Sequence, residues 1–138
     1  MSEVRFSVVV PVYGEAESVV ELCDRMYAVF DSLQSSDAFE IIFVDDGSID
    51  STPRLLSELS KDRPYIRCIR FRTNIGKSLA LTAGFKAARG GVVITIDGDL
   101  QDNPEDISKL VAMLDDNFDV VVGRRSKRQD KMFRKLGS

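Results

Sequence analysis

The residues best suited to chemistry in this 138-residue sequence are two aspartates, Asp97 and Asp99, that flank a glycine. They follow the apolar run Val92–Ile96, which predicts a buried strand. Two carboxylates at i and i+2 on a turn leaving a strand can converge on Mg²⁺ or Mn²⁺, since these ions prefer oxygen ligands and share their shell with substrate phosphates. Gln101 could add a neutral oxygen ligand. An ordinary acidic turn is the alternative interpretation.

A second set of polar residues could bind the rest of a ligand. Asp45 and Asp46 follow the apolar run Phe39–Val44, and a carboxylate there can accept hydrogen bonds from a nucleobase or a ribose. Tyr13 can stack on a base or sugar, and Glu15 can hydrogen-bond to either. The alternatives are an Asp-Gly turn, a turn aromatic and an acid at a helix N-terminus.

Lys77 begins a predicted helix, where its charge and the helix dipole would both attract phosphate, although it could equally be a surface lysine. Better-known phosphate motifs are excluded. The run Gly76–Ser78 resembles the end of a P-loop, but the earlier glycine that a P-loop requires would fall at Phe71. No Gly-x-Gly-x-x-Gly follows the first strand, which disfavours a Rossmann dinucleotide site.

The chain contains no histidine, so His-based triads and His-ligated zinc are excluded.

Apolar runs that alternate with helical patterns predict the order β-α-β-α-β-α-β-α-β. Strands are expected at Phe6–Val10 (stopped by Pro11), Phe39–Val44, Ile66–Phe71, Val92–Ile96 and Asp119–Val122. Helices are expected around Val19–Leu33, Ser51–Leu59, Leu79–Ala87 and Pro104–Leu114. This alternation predicts an α/β domain with a mostly parallel sheet. Ligands bind outside the carboxyl ends of the strands in such sheets, which is where the candidate residues fall.

Composition and charge narrow the class of protein further. The chain is 43% hydrophobic and 30% charged, which is ordinary for a globular domain, and no apolar run approaches the roughly 20 residues of a membrane span. Cys23 and Cys68 lie in apolar patterns and are expected to be reduced core residues of a cytosolic protein. The net charge is −3, but residues 124–138, here called the basic tail, contain seven Arg or Lys and one Asp. The acidic remainder argues against nucleic-acid binding, and the basic tail predicts either a solvated helix face or contact with anionic lipid.

Four segments together resemble family-2 glycosyltransferases, which have the Rossmann-like, three-layer α/β/α fold named GT-A. They are Val8–Glu15, Ile42–Ser48, Asn74–Lys77 and Asp97–Asp102, and they span nearly the whole chain in the expected order. The last segment, followed by Pro104 and Glu105, resembles the polyprenyl-phosphate branch, which includes dolichyl-phosphate mannose synthases and undecaprenyl-phosphate sugar transferases. Gly14 departs from the family pattern, which usually has Asn at that position.

The resemblance implies an inverting transferase that moves a sugar from a UDP- or GDP-sugar to a polyprenyl phosphate, with Mg²⁺ or Mn²⁺ on the donor diphosphate. The implied donor-binding residues are Pro11, Tyr13, Glu15, Asp45, Asp46, Lys77, Asp97 and Gly98. The implied metal-positioning residues are Asp97, Asp99 and Gln101. Asp99 and Arg125 are the catalytic candidates, with Arg125 and the adjacent Arg124 placed to contact phosphate. Because a phosphate acceptor is already anionic near neutral pH, no strong general base is needed.

A transferase with a soluble saccharide or protein acceptor, and a non-catalytic nucleotide-sugar-binding fragment, remain alternatives. Residues 1–123 are expected to form the donor-binding domain. The basic tail is expected to be a helix-like start of an acceptor or membrane-proximal region. Members of the resembled family continue further, so the chain is expected to be a fragment that binds donor and metal. The full-length protein is expected at the cytoplasmic face of a membrane.

Overall fold

The computed structural model describes residues 3–113, 120–123 and 131–134. The elements are β1 (Phe6–Val12), α1 (Val19–Ser32), β2 (Phe39–Asp45), α2 (Thr52–Asp62), β3 (Ile66–Arg70), α3 (Lys77–Ala87), β4 (Val92–Thr95), α4 (Asp106–Ala112), β5 (Val120–Gly123) and β6 (Lys131–Arg134). The first nine follow the predicted alternation. Among the described residues, no helix is both long and apolar enough to cross a lipid bilayer.

Four parallel strands form the central sheet in the order β3-β2-β1-β4. Every residue of β1 and β2 is buried, as expected for near-continuous apolar strands that are covered on both faces. Alternate residues of these strands face two different cores. Phe6, Val8 and Val10 pack with α1, α2 and α4, whereas Val9 packs with Ala80 of α3. The predicted three-layer α/β/α arrangement is therefore confirmed.

The first strand runs through Pro11 instead of stopping before it. The Val9 carbonyl accepts the Ile96 N–H on the β4 side, at 3.2 Å. The Val12 carbonyl accepts the Asp46 N–H on the β2 side, at 2.9 Å. The backbone N–H and C=O groups of successive strand residues point to opposite neighbouring strands. The backbone nitrogen of Pro11 therefore points to the β4 side, at a level beyond the last residue of β4. Its missing N–H therefore removes no ladder hydrogen bond.

The fifth strand does not pair with the parallel sheet. It forms a separate antiparallel pair with β6, in the register Val120↔Arg134 to Gly123↔Lys131. The expectation of a helix-like basic tail is therefore wrong for Lys131–Arg134, because strand pairing overrides the local charge pattern on which it rested. The remaining residues of the basic tail lie outside the described residues. The boundary proposed at 123/124 stays a prediction.

The two cysteines differ in environment. Both are free, and Cys23 is buried on α1 as expected. Cys68 is exposed, so its assignment to the core is wrong. Its strand, β3, is at the edge of the four-stranded sheet and is only partly covered.

Candidate functional site

A cleft of about 250 Å³ opens at the carboxyl ends of β1, β2 and β4. It is lined by Pro11, Val12, Tyr13, Glu15, Asp46, Lys77, Asp97, Gly98 and Asp99. All of these except Val12 are residues that the sequence indicated. They come from four separate segments of the chain, and the parallel sheet brings their loops to one edge.

The acidic turn, Asp97–Asp99, follows β4 and packs tightly against the end of β1. A Cβ on Gly98 would lie 2.5 Å from Val12 Cγ1, so only glycine fits there. Leu100, the next residue along the chain, has a φ of +62°, a left-handed conformation that side chains rarely adopt. Its side chain packs against the main core. The acidic turn is thus fixed by close packing on one side and by an anchored residue on the other.

Negative charge is concentrated in the cleft. Partial burial raises the pKa of Glu15, and the neighbouring charges of Asp99 and Asp97 raise it further. Lys77 Nζ lies 2.7 Å from Asp97 Oδ1, so its ammonium group offsets part of that charge. Among the described residues, four carboxylates and one ammonium group line the cleft and leave it with a net negative charge, which suits a bound cation.

The chemistry of the acidic turn fits a hard divalent cation. Within residues 3–113, no group of three or more Asp, Glu or Cys side chains is arranged to hold a metal by itself. Mg²⁺ is usually held by one or two protein carboxylates and completes its shell with water and substrate phosphates. Asp97 and Asp99 supply such a pair of carboxylates. The residues therefore fit an ion that binds together with a diphosphate.

Asp46 joins two of the loops that form the cleft. Its Oδ1 accepts the Ile75 N–H at 2.7 Å, and its Oδ2 accepts the Gly76 N–H at 3.0 Å. These amides directly precede Lys77, the first residue of α3. Asp46 therefore fixes the start of α3, and with it the position of the lysine, while its side chain also lines the cleft.

Asp45 is buried beside the cleft and does not line it. Its Oδ1 accepts the Ser48 N–H at 2.9 Å, and Ser48 Oγ in turn accepts the Gly14 N–H at 2.9 Å. This relay ties the loop after β2 to the loop after β1. Gly14 has a φ of +66°, which glycine and asparagine adopt more readily than other residues, so the departure from the family pattern preserves the turn.

The remaining site predictions have different outcomes. Gln101 is exposed and does not line the cleft, although its N–H donates to Asp99 Oδ1 at 3.1 Å. Arg124 and Arg125 lie outside the described residues. Ser18 was not anticipated: its hydroxyl donates to the Gly98 carbonyl at 2.5 Å. The two residues are 80 positions apart, and no local spacing in the sequence signals the contact.

Curated relatives match nearly all of this chain. The undecaprenyl-phosphate 4-deoxy-4-formamido-L-arabinose transferases of Salmonella paratyphi A and Salmonella dublin are each 44% identical to it over 135 residues. The matched region is 97% of this chain and 41% of the relative. The chain therefore spans about two fifths of the length of these relatives.

Solved structures share the same α/β arrangement. The mannosyltransferase PcManGT from Pyrobaculum calidifontis, in complex with GDP-Man and Mn²⁺, matches with a TM-score of 0.70 and 26% identity over 86% of this chain and 34% of its own. S. aureus TarS 1–349 in complex with UDP matches with a TM-score of 0.65 and 28% identity over 82% of this chain and 32% of its own. These similarities confirm the expected GT-A fold class.

A third comparison, with a family sequence profile, shows the family because the match covers nearly the whole chain. The sequence profile described as "Glycosyl transferase family 2" matches residues 7–137. That range includes the cleft and all four segments that suggested the resemblance. On this basis, the chain belongs to glycosyl transferase family 2.

Proposed function

We propose that this chain is the donor-binding part of a glycosyltransferase that moves a sugar from a UDP- or GDP-sugar to a polyprenyl phosphate. The observation that carries the proposal is the cleft at the carboxyl edge of a parallel sheet, where Lys77 pairs with Asp97, and Asp99 lines the same opening. The similarity to undecaprenyl-phosphate transferases supports this choice of acceptor class.

The nucleotide would occupy the side of the cleft formed by the loops after β1 and β2. The ring of Tyr13 is 49% exposed and is available to stack on a base or a ribose. Pro11 and Glu15 line the same side, and Asp46 presents a carboxylate there. Asp45 would act from behind, either by holding Ser48 or through its buried Oδ2, which has no hydrogen-bond partner among the described residues.

The donor diphosphate would lie between the acidic turn and the start of α3. Lys77 would exchange part of its contact with Asp97 for the diphosphate oxygens, which also suit the N-terminus of a helix. Asp97 and Asp99, with Gln101 as a further oxygen donor, would hold Mg²⁺ or Mn²⁺. When bound, this ion neutralises charge on the departing nucleoside diphosphate. The presence of Mn²⁺ in the PcManGT structure supports a divalent ion at this position.

The acceptor side of the proposal rests on the basic tail. Arg125, with Arg124 beside it, would contact the acceptor phosphate, and their charges would hold two anionic substrates together. Lys and Arg residues near an anionic membrane surface contribute roughly 1 kcal/mol each to binding. The basic tail would therefore bring the protein to the cytoplasmic face of a membrane, where a lipid-linked phosphate is found.

A calorimetric titration tests the donor assignment. We expect the chain to bind a UDP- or GDP-sugar in the presence of Mn²⁺ and to lose that binding in Asp99→Ala. Asp31→Ala removes an exposed carboxylate at the C-terminal end of α1, outside the cleft, and is the matched control. Its nucleotide-sugar binding is expected to be normal. Binding that needs no metal and is unchanged in Asp99→Ala would contradict the proposed metal site.

Transfer assays then separate the acceptor classes. Product formed from undecaprenyl phosphate and not from soluble saccharides supports the proposed acceptor. Product formed only with a soluble saccharide or a protein identifies a different transferase. Metal-dependent binding without transfer to either class identifies the chain as a donor-binding fragment.

A further inference from the structure

Ser18 stands at the N-cap of α1, yet its side chain caps no amide of that helix. Serine at this position normally accepts a hydrogen bond from the second or third helical N–H. Here Ser18 Oγ lies 2.5 Å from the Gly98 carbonyl oxygen and 3.3 Å from the Glu15 carbonyl oxygen. The shorter distance assigns the hydroxyl proton to Gly98. The Ser18 hydroxyl therefore hydrogen-bonds to the acidic turn and not to an amide of its own helix.

The acidic turn needs such support because its backbone is constrained. Gly98 has no room for a Cβ, and Leu100 is held in the left-handed region with a φ of +62°. Backbone conformations of this kind persist only where the surrounding structure determines them. The Gly98 carbonyl lies between Asp97 and Asp99 along the chain. Fixing it fixes the peptide plane that joins Gly98 to Asp99, and it restricts the backbone of the turn that carries Asp97.

Helix α1 also contacts the chain a few residues after the acidic turn, at Asn103 and Glu105. Arg25 Nε donates to Glu105 Oε2 at 2.9 Å, and Arg25 Nη2 approaches Asn103 Oδ1 at 3.4 Å. The contact made by Arg25 is exposed to solvent, where ion pairs contribute little to stability. Ser18 is partly buried and touches the acidic turn itself. Of the two contacts, that of Ser18 is therefore the one expected to control the carboxylates.

We propose that Ser18 is a positioning residue for Asp97 and Asp99, acting through the Gly98 carbonyl. Ser18 does not line the cleft, so it would not directly contact a metal or a nucleotide bound there. Its effect is to keep both carboxylates aimed into the cleft before a ligand arrives. The inference deepens the proposed function and rests on it where nucleotide binding is the readout.

The first test is a Mn²⁺ titration of UDP or GDP binding to the whole chain. We expect Ser18→Ala to need about three- to tenfold more Mn²⁺ for half-saturation, the effect of losing one hydrogen bond. Ser18→Thr retains a hydroxyl and should restore the wild-type requirement. Ser32→Ala removes the same group from the other end of α1, where Ser32 Oγ donates to the Val29 carbonyl at 2.7 Å, and should change nothing. A wild-type Mn²⁺ requirement in Ser18→Ala overturns the proposal.

The second test needs no ligand and separates this inference from the proposed function. Amide hydrogen exchange over residues 97–101 should be faster in Ser18→Ala than in the wild type, and unchanged in Ser32→Ala. If the wild-type chain binds no nucleotide, the donor assignment fails and exchange alone decides the role of Ser18. Unchanged exchange in Ser18→Ala overturns that role whatever the binding data show.

Discussion

Asp45 and Asp46 are neighbours in the sequence, and strand alternation at the end of β2 sends their side chains in different directions. Asp46 reaches the cleft and the amides before α3, whereas Asp45 turns inward to Ser48. The sequence predicted nucleotide binding for both, because residue type and loop position are the same. It placed the end of the strand at Val44, one residue too early. Whether Asp45 belongs to the strand decides which way its side chain points.

Glu40 is a residue whose importance the sequence did not reveal. It is only 3% exposed, although it is a carboxylate near the start of the apolar strand β2. It accepts hydrogen bonds from Ser7 Oγ at 2.6 Å, the Arg89 N–H at 2.8 Å and Arg67 Nη1 at 2.9 Å. Burial alone would raise the pKa of Glu40, but these three donors outweigh it and lower the pKa. They come from β1, β3 and the loop between α3 and β4, so a local pattern could not predict them.

We expect Glu40→Gln to destabilise the protein at neutral pH by about 2 kcal/mol, because three donors lose a charged acceptor. The folded-state pKa of Glu40 lies below its ordinary value of 4.5, so the unfolded chain takes up the proton first as the pH falls. The stabilisation is therefore complete above that ordinary value and is lost as the pH falls through the folded-state pKa. Urea unfolding across this range should show the wild type and the variant converging in acid. Glu58→Gln, on the exposed face of α2, should show no such effect, and an equal gap at all pH values would contradict the assignment.

At the scale of elements, the sequence predicted the existence and order of the first nine because each depends on local periodicity. Their ends were less predictable. Strand β1 continues through Pro11 because of where β4 stops, which is a property of the neighbouring strand. Strand β6 exists through its pairing with β5, which lies some ten residues earlier in the chain. Element boundaries here are decided by tertiary neighbours.

The end of α1 is stabilised by backbone hydrogen bonds but carries an unfavourable residue. The Gln34 N–H donates to the Asp31 carbonyl at 3.0 Å, and the Ser35 N–H donates to the Phe30 carbonyl at 2.7 Å. This pair of bonds is the Schellman motif, which usually has glycine at the left-handed position. Gln34 occupies that position with a φ of +57°. Its side chain is exposed and could be removed without loss of packing.

Gln34→Gly should therefore stabilise the protein by about 0.5–1 kcal/mol. The left-handed conformation costs a residue with a Cβ about 1–2 kcal/mol, and the extra chain entropy of glycine offsets part of the gain. Chemical denaturation at neutral pH measures the difference. Gln34→Ala keeps the Cβ and is the control, for which no gain is expected. Equal stability of the glycine and alanine variants would show that backbone strain at this position is negligible.

At the scale of the whole molecule, the cleft lies where the two helical layers meet the edge of the sheet. Helix α1 holds the acidic turn from one side through Ser18, and α3 supplies Lys77 from the other. The sequence could predict that the loops converge at the carboxyl edge. It could not predict which side chains pair across the cleft, because those distances depend on how closely each helix approaches the sheet.

Helix α3 approaches the sheet unusually closely at Gly84. A Cβ at this position would lie 2.3 Å from Val9 Cγ1 and 3.3 Å from Val44 Cγ2, both in the buried centre of the sheet. Neither valine can move without disturbing its own strand. The glycine therefore sets the distance between α3 and the sheet, and with it the position of Lys77 at the start of the helix.

Gly84→Ala tests whether that distance matters to the cleft. In an unconstrained helix the change would stabilise by about 1 kcal/mol, but overpacking against Val9 should make it destabilising by about 1–3 kcal/mol. If α3 moves outward to relieve the clash, Lys77 moves with it, and metal-dependent nucleotide binding should weaken along with stability. Gly91→Ala, where a Cβ meets no atom within 4 Å, is the matched control and should alter neither measurement. Loss of stability with unchanged binding would show that the cleft does not depend on the spacing of the α3 layer, and a gain in stability would contradict the packing argument itself.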